Sequence, residues 1–132
     1  MSEEKQPAQQ FTLKNDRYRK LRGGVAKFLD IFCAKCNTWV LLYQKDGIGR
    51  VLRFYLNRIF APPSLAALQH RADITEPKDM SNLVCPSCGA LLGTPFQYND
   101  GRLAYRLPKG SIAKKNSDGT YPPPPGTTEK KE

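Results

Sequence analysis

The sequence predicts a small, mainly β domain in which two units, each a metal knuckle followed by a β-hairpin, surround one four-cysteine metal site. One short helix is expected between the units, and disordered tails are expected at both ends. Three observations lead to this prediction: two Cys-x-x-Cys pairs, Asp-Gly turn signals between segments rich in strand-forming residues, and polar ends that include a proline run. A length of 132 residues suits one domain with tails.

The domain boundaries follow from composition. We predict a flexible basic segment at residues 1–19, the folded domain at residues 20–113 and a disordered Pro-rich tail at residues 114–132. The tail contains four consecutive prolines and almost no apolar residues, so burial cannot offset the entropy cost of ordering it. A domain of the predicted size is marginal on hydrophobic burial alone and gains stability from a bound metal.

The N-terminal residues and the apolar runs bear on the cellular compartment. The first ten residues, MSEEKQPAQQ, contain no apolar stretch of the kind found in secretory signals. The longest uninterrupted apolar run covers residues 39–43, which is too short to span a bilayer. We therefore expect a cytoplasmic protein without membrane association. Thiols stay reduced in that compartment, which favours metal binding over disulfides.

The cysteines form two pairs, CAKC at residues 33–36 and CPSC at residues 85–88. A gap of two residues lets both sulfurs of a pair reach one ion, so the two pairs define a tetrahedral site. Asn37 and Gly89 directly follow the pairs, and both residue types tolerate the positive φ that the chain often takes there. The predicted ligands are Cys33, Cys36, Cys85 and Cys88.

Two features complicate the assignment of this site. A redox dithiol is an alternative, but thioredoxin-like activity needs a βαβ pattern near the Cys-x-x-Cys pair, and the sequence has none. Compact zinc sites separate their pairs by about 15 to 20 residues, whereas residues 37–84 lie between the pairs here. A folded segment must therefore fill this long gap.

The intervening chain supplies such a segment. Apolar stretches flank KDGIGR at residues 45–50, and this pattern predicts a β-hairpin. Alternation of apolar and other residues predicts a strand near residues 52–57, although residues 52–60 also place apolar side chains on one helical face. The preceding turn favours the strand. PPSLAALQHR then predicts the short helix, with Ser64 as its N-cap.

The second half repeats this plan. Asn99, Asp100 and Gly101 form a turn signal between TPFQY and RLAYRL, which predicts another β-hairpin. In both halves a Cys-x-x-Cys pair precedes an Asp-Gly turn and then an Arg-containing apolar segment. This order indicates a weak internal repeat, with chance similarity between two hairpins as the alternative.

The knuckles and hairpins together resemble a zinc ribbon of the rubredoxin-like kind over residues 27–107. CPSCGA is similar to the second knuckle of rubredoxins, and LLYQKDGIGRVLRFYLNRI with CPSCGALLG resembles small prokaryotic zinc-ribbon proteins. The resemblance implies a bound metal but no particular function, because zinc ribbons serve many unrelated roles.

Zinc and iron both suit a tetrahedral four-thiolate site. Rubredoxin-like iron electron carriers are commonly acidic, whereas this chain has a net charge of +9, so we expect Zn²⁺. Four thiolates leave no coordination position for water, which makes the site structural rather than catalytic. The single histidine, His70, is expected at an exposed helix end, and the sequence has no phosphate-binding loop or catalytic triad. These observations predict a non-catalytic protein.

The positive charge is the remaining functional signal. Basic clusters interleaved with Tyr18, Tyr55, Tyr98 and Tyr105 suit a phosphate backbone and stacked bases. We therefore predict binding to nucleic acid, RNA rather than DNA, or to a ribonucleoprotein; a solvated basic surface is the plain alternative. The candidate contacts are Arg17, Arg19, Lys20, Arg22, Arg50, Arg53, Arg58, Arg102, Arg106 and Lys109.

A second functional hypothesis treats the chain as a scaffold or adaptor subunit of a protein complex. Its zinc site would then be purely structural, and Trp39 with the aromatic hairpin would contact the partner. A rubredoxin-like iron electron carrier is a third and weaker hypothesis.

Overall fold

The computed structural model describes residues 9–123. Residues 1–8 of the predicted flexible segment and residues 124–132 of the predicted Pro-rich tail lie outside the described residues. The described chain forms ten strands: β1 (Gln9–Gln10), β2 (Ala26–Cys33), β3 (Trp39–Asp46), β4 (Arg53–Tyr55), β5 (Ile59–Ala61), β6 (Leu83–Val84), β7 (Leu91–Gln97), β8 (Leu103–Arg106), β9 (Ile112–Ser117) and β10 (Thr120–Tyr121). The fold is therefore small and mainly β, as the sequence predicts.

Helical structure within residues 9–123 is limited to short segments. The α-helices are α1 (Arg17–Leu21) and α2 (Pro63–Ala66), and the 3₁₀ segments are Leu56–Arg58, Ala67–His70 and Pro77–Asp79. None of the helices in this part of the chain is long and apolar enough to cross a membrane. A short helix between the two cysteine pairs is thus confirmed. Ser64 is not its N-cap, because Pro62 holds that position and makes no side-chain cap bond. His70 ends the following 3₁₀ segment and is exposed, as predicted.

The strands form two four-stranded sheets. The first sheet has the order β5-β3-β2-β9, and its centre is the long antiparallel pair of β2 and β3. The second sheet has the order β4-β8-β7-β6. In it, β7 and β8 form the hairpin predicted around residues 99–101, with Thr94 opposite Arg106 and Gln97 opposite Leu103. A separate two-stranded pair joins β1 to β10.

The prediction of a hairpin across KDGIGR is wrong. β3 pairs with β2 and β5, whereas β4 pairs with β8, so residues 47–52 carry the chain from one sheet to the other. Gly47 and Gly49 adopt positive φ in this connection. Turn-forming residues mark where a chain changes direction, but they do not specify which strand the next segment pairs with. The strand expected near residues 52–57 is present as β4, and it is followed by a 3₁₀ segment.

The predicted tail boundary is also wrong. β9 pairs along β2, with Cys33 opposite Ile112 and Phe28 opposite Ser117, so order continues beyond residue 113. The N-terminal boundary fails in the same way, because the Lys14 N–H donates to Oε1 of Gln44 at 2.7 Å. An edge strand is held by backbone hydrogen bonds to its neighbour, so it can be polar and Lys-rich. A composition argument based on apolar residues therefore misses β9.

The core lies where the two sheets meet. Leu29 and Leu41 from the first sheet pack in one cluster with Phe54, Leu92 and Tyr105 from the second sheet. The same cluster contains two of the cysteines, one from each pair, and both are buried. The cysteine site is therefore continuous with the core that joins the sheets.

Candidate metal centre and basic aromatic cavity

Each Cys-x-x-Cys pair forms the turn of a β-hairpin. The first pair connects β2 to β3, and the second connects β6 to β7. In both turns the N–H of the first cysteine donates to the carbonyl five positions later, and its own carbonyl accepts from the N–H four positions later. The bonds are 2.9 Å for Cys33 N to Thr38 O, 2.8 Å for Asn37 N to Cys33 O, 2.9 Å for Cys85 N to Ala90 O and 3.0 Å for Gly89 N to Cys85 O. The two knuckles thus share one hydrogen-bonding pattern.

The residue after each pair has the positive φ that the sequence predicts. Asn37 has φ 64° and Gly89 has φ 76°. Asn37 is the one non-glycine residue with positive φ in the described part of the chain. The left-handed conformation costs other residues about 1–2 kcal/mol, and asparagine tolerates it better than most.

Substitutions at these two positions are expected to affect the free energy of unfolding differently. Asn37→Gly should leave the free energy of unfolding unchanged or raise it, whereas Gly89→Ala should lower it by about 1–2 kcal/mol. A Cβ at position 89 meets no atom within 4 Å, so the cost is conformational rather than steric. Denaturant unfolding of the metal-bound protein measures both changes.

Gly101→Ala is the matched control for Gly89→Ala. Gly101 has φ 95° and equally open surroundings, but it lies in the β7–β8 turn. We expect a similar loss of stability for both variants and weaker metal binding for Gly89→Ala alone. Full stability of Gly89→Ala would show that the knuckle does not depend on this backbone conformation.

The four sulfurs meet across the two knuckles. Sγ of Cys33 lies 3.7 Å from Sγ of Cys88, Sγ of Cys36 lies 3.5 Å from Sγ of Cys85, and all four sulfurs lie within 4.8 Å of one another. A tetrahedral site with metal–sulfur bonds of about 2.3 Å has sulfur–sulfur separations of about 3.8 Å. Disulfides would require about 2.05 Å. The arrangement fits a single ion held by two thiolates from each knuckle.

The surroundings of two of the sulfurs, those of Cys36 and Cys85, favour thiolates, whereas burial and neighbouring sulfurs raise the pKa of Cys88 to about 11 when no ion is bound. The N–H groups of Ser87 and Cys88 point at Sγ of Cys85, at 3.3 and 3.4 Å. Oγ1 of Thr38 lies 3.1 Å from Sγ of Cys36, and this contact lowers the pKa of the Cys36 thiol to about 6. Amide and hydroxyl donors stabilise negative charge on sulfur and orient it. The four cysteines are thus suited to a soft divalent metal.

Some of the residues predicted to contact nucleic acid are exposed to solvent, and others are buried or bound to other parts of the protein. Arg17 and Lys20 are exposed on α1, and Arg22 is exposed at its C-cap. Nε of Arg19 donates to the carbonyl of Gly24 at 2.7 Å, which holds the end of this helix. Arg106 lies over the Phe96 ring at 4.3 Å. Arg50, Arg106 and Lys109 are exposed.

Arg58 cannot be a nucleic-acid contact, which corrects the prediction. Its side chain is fully buried and forms ion pairs with Asp16 at 2.6 Å and with Asp46 at 2.7 Å. The bond from Arg58 holds the pKa of Asp16 down at about 2. Asp16 also accepts bonds from the first N–H groups of α1, so this ion pair fixes the helix to the sheets. Tyr105 is buried in the core and is likewise unavailable for stacking.

Arg102 also has internal partners. Its guanidinium lies between the rings of Tyr18 and Tyr55, at 3.7 and 3.8 Å from their centroids. Nε of Arg102 donates to Asp100 at 3.0 Å, and its side chain is only 14% exposed. This Tyr18–Arg102–Tyr55 stack joins the N-terminal segment to the second sheet.

A cavity of about 370 Å³ opens beside this stack. We call it the basic cavity. Its other lining residues come from α1 and its C-cap, β3, the connection between the sheets, β4 and the β7–β8 turn: Leu21, Arg22, Tyr43, Lys45, Asp46, Arg50, Val51, Leu52, Arg53, Tyr98, Asn99 and Asp100. Segments far apart in the sequence therefore contribute to one concave surface.

Charge in the basic cavity is unbalanced. The acids in its wall, Asp46 and Asp100, are paired with Arg58 and Arg102. Within residues 9–123, none of the ion pairs involves Arg22, Arg50 or Arg53. Their positive charges are therefore not neutralised by neighbouring carboxylates.

Lys45 is a further cation in the wall, and the sequence analysis did not single it out. Its Nζ donates to the carbonyl of Gly47 at 3.1 Å. Burial lowers the pKa of Lys45, and the positive charges of Arg22 and Lys27 lower it further. Tyr43 and Lys45 are two positions apart on β3 and therefore face the same side. That spacing is the signal that could have identified Lys45.

Comparison of the chain with protein-family models, curated proteins and solved structures finds no match. The fold and the site define a small, mainly β protein whose four clustered cysteines can hold a metal ion.

Proposed function

We propose that this chain is a non-catalytic zinc-ribbon protein that binds nucleic acid, RNA in preference to DNA, or a ribonucleoprotein through the basic cavity and the surface around it. The observation that carries the proposal is the convergence of Arg22, Arg50 and Arg53 on one aromatic-lined cavity without neutralising carboxylates. Unpaired arginines attract phosphate, and tyrosine rings offer stacking surfaces to bases.

The proposed metal is Zn²⁺ in a structural role. Four thiolates in tetrahedral spacing satisfy zinc completely and leave no open position for a substrate or water. Iron in the same site is the alternative and would make the chain an electron carrier. Elemental analysis of protein isolated anaerobically from its native cell shows which of the two metals is bound. Predominant iron would reject the proposal of a structural zinc ion.

Salt dependence tests nucleic-acid binding. The triple variant Arg22→Gln, Arg50→Gln, Arg53→Gln should bind single-stranded RNA at least about tenfold more weakly than the unaltered chain. The plot of log affinity against log salt should become shallower by about 2, because each released phosphate contact contributes about 0.7 on a single strand. Fluorescence anisotropy over a salt series measures both quantities.

A control with the same charge change is available on exposed residues outside the basic cavity. Arg71→Gln, Lys78→Gln, Lys115→Gln removes three positive charges that do not line this cavity. It should retain most of the affinity. Equal losses in the two triple variants would mean that net charge rather than the cavity drives binding, and an affinity independent of salt would reject phosphate recognition.

A specific observation also favours the adaptor hypothesis. A groove of about 460 Å³ lies beside the second knuckle, and its apolar lining includes Leu65, Leu68 and Met80. Val84 at its border is 47% exposed. An apolar groove suits a protein partner, and such binding would depend little on salt. Co-purification of a protein at high salt, without nucleic acid, would favour this function.

A further inference from the structure

We infer that the basic cavity holds one unpaired nucleotide of a single strand, with its base inside and its phosphates on the arginines at the rim. This inference rests on the proposed function and narrows it to single-stranded nucleic acid. The shared chemistry is an aromatic base attached to phosphate, and a free mononucleotide could also supply it.

The shape of the cavity is the first argument. Its volume of about 370 Å³ is in the lower range of small-ligand pockets, so it suits a single compact unit. A base in a duplex is stacked and paired, and it cannot enter a concave site without leaving the helix. Bases of a single strand can turn outward and stack on side chains. A concave site therefore selects the unpaired form.

The stacking surface is the second argument. The Arg53 guanidinium lies over the Tyr98 ring at 4.7 Å, and the rings of Tyr98 and Tyr55 meet edge to face with centroids 5.4 Å apart. Nη1 of Arg53 also donates to the Tyr55 hydroxyl at 3.1 Å, which fixes the orientation of the guanidinium. Planar guanidinium groups and tyrosine rings both stack on bases regardless of sequence. This Arg53–Tyr98 platform therefore needs little reorganisation before a base binds.

The polar groups at the rim are the third argument. Arg22 and Arg50 belong to two different exposed loops that border the cavity. Arginine binds phosphate oxygens through a planar fork, and two arginines on separate loops can contact successive phosphates of a strand. The amide of Asn99, also exposed in the lining, can offer both a donor and an acceptor to the edge of a base. Together these groups match a base and the backbone that carries it.

The test compares three probes in solution with the metal-bound full chain. The probes are a labelled single-stranded RNA of about twelve nucleotides, the same strand annealed to its complement, and AMP as a competitor. We expect the single strand to bind at least about tenfold more tightly than the duplex. Tyr98→Ala should weaken single-strand binding by about five- to tenfold and leave duplex binding unchanged, because it removes a stacking surface and no charge.

Tyr98→Phe is the matched control, since it keeps the ring and should retain single-strand affinity. Metal content and the unfolding transition of each variant establish that it is folded, and Arg50→Gln provides a second cavity variant that should weaken single-strand binding.

Equal affinity for single strand and duplex, with no effect of Tyr98→Ala, would overturn the inference and leave the proposed function standing. Binding of neither RNA would overturn both. If AMP displaces the labelled strand at concentrations similar to those of the strand itself, the ligand is a mononucleotide and the inference of a single strand is wrong.

Discussion

Removal of metal from the four-cysteine cluster is expected to unfold the domain. The cluster is continuous with the core, and it ties the β2–β3 hairpin of the first sheet to the β6–β7 hairpin of the second. Binding of a structural zinc ion contributes on the order of 10 kcal/mol, which is comparable to the whole stability of a typical domain. Chelation under reducing, anaerobic conditions should therefore abolish cooperative thermal unfolding. Circular dichroism before chelation, after it and after the metal is restored measures the effect.

Substitution of one ligand should have a similar effect. Cys85→Ser removes a buried sulfur that also accepts two backbone N–H bonds, so we expect loss of both metal and folded structure. Ser87→Ala is the control, because its side chain is exposed while its backbone N–H to the sulfur is retained. A chelated protein that keeps its metal-bound unfolding temperature would show that the ion is not structural.

Replacement of Arg58 by methionine is expected to lower the free energy of unfolding by about 3–5 kcal/mol. The guanidinium is fully buried, and Asp46 is 9% exposed, so the substitution leaves a carboxylate poorly solvated and without its cation. Asp16, which is 38% exposed, can reach water and adds less to the loss. Denaturant unfolding of the metal-bound protein gives the value.

Arg71→Met provides a matched comparison. Arg71 and Asp73 form an ion pair at 2.6 Å, but the arginine is 53% exposed, so we expect a loss of at most about 1 kcal/mol. Addition of Asp46→Asn to Arg58→Met should recover part of the stability, because the uncompensated charge is then removed. Equal losses for Arg58→Met and Arg71→Met would contradict the role assigned to the buried ion pair.

Features encoded by neighbouring residues could be predicted from the sequence. The spacing of each cysteine pair, with Asn37 or Gly89 after it, specifies a knuckle through local backbone geometry. The turn at residues 99–101 specifies the β7–β8 hairpin in the same way, because its strands are adjacent in the chain. The meeting of the four sulfurs follows from the number and type of cysteines, since no other thiols compete for the site.

Features that depend on distant partners could not be predicted in this way. β4 pairs with β8 rather than with the preceding strand, because β2 and β5 already occupy both edges of β3. Residues 114–117 of β9 look like part of a disordered tail, because their side chains are polar and the strand is held to β2 by backbone pairing. Arg58 and Arg102 look like surface cations in the sequence. The carboxylates that bind Arg58, and the two tyrosine rings that enclose Arg102, come together only in the folded chain. Charge counted along a sequence does not distinguish internal ion pairs from free cations.

The order of strands in the two sheets has a consequence for biosynthesis. The chain passes between the sheets four times, at the β3–β4, β4–β5, β5–β6 and β8–β9 connections. No uninterrupted fragment therefore contains one whole sheet without strands of the other. A nascent chain leaving the ribosome cannot complete the second sheet before residues 103–106 emerge, nor the first before residues 112–117 emerge. Both sheets of this domain should thus be completed only after β8 and β9 have emerged, and a ribosome stalled before β8 should display a protease-sensitive chain.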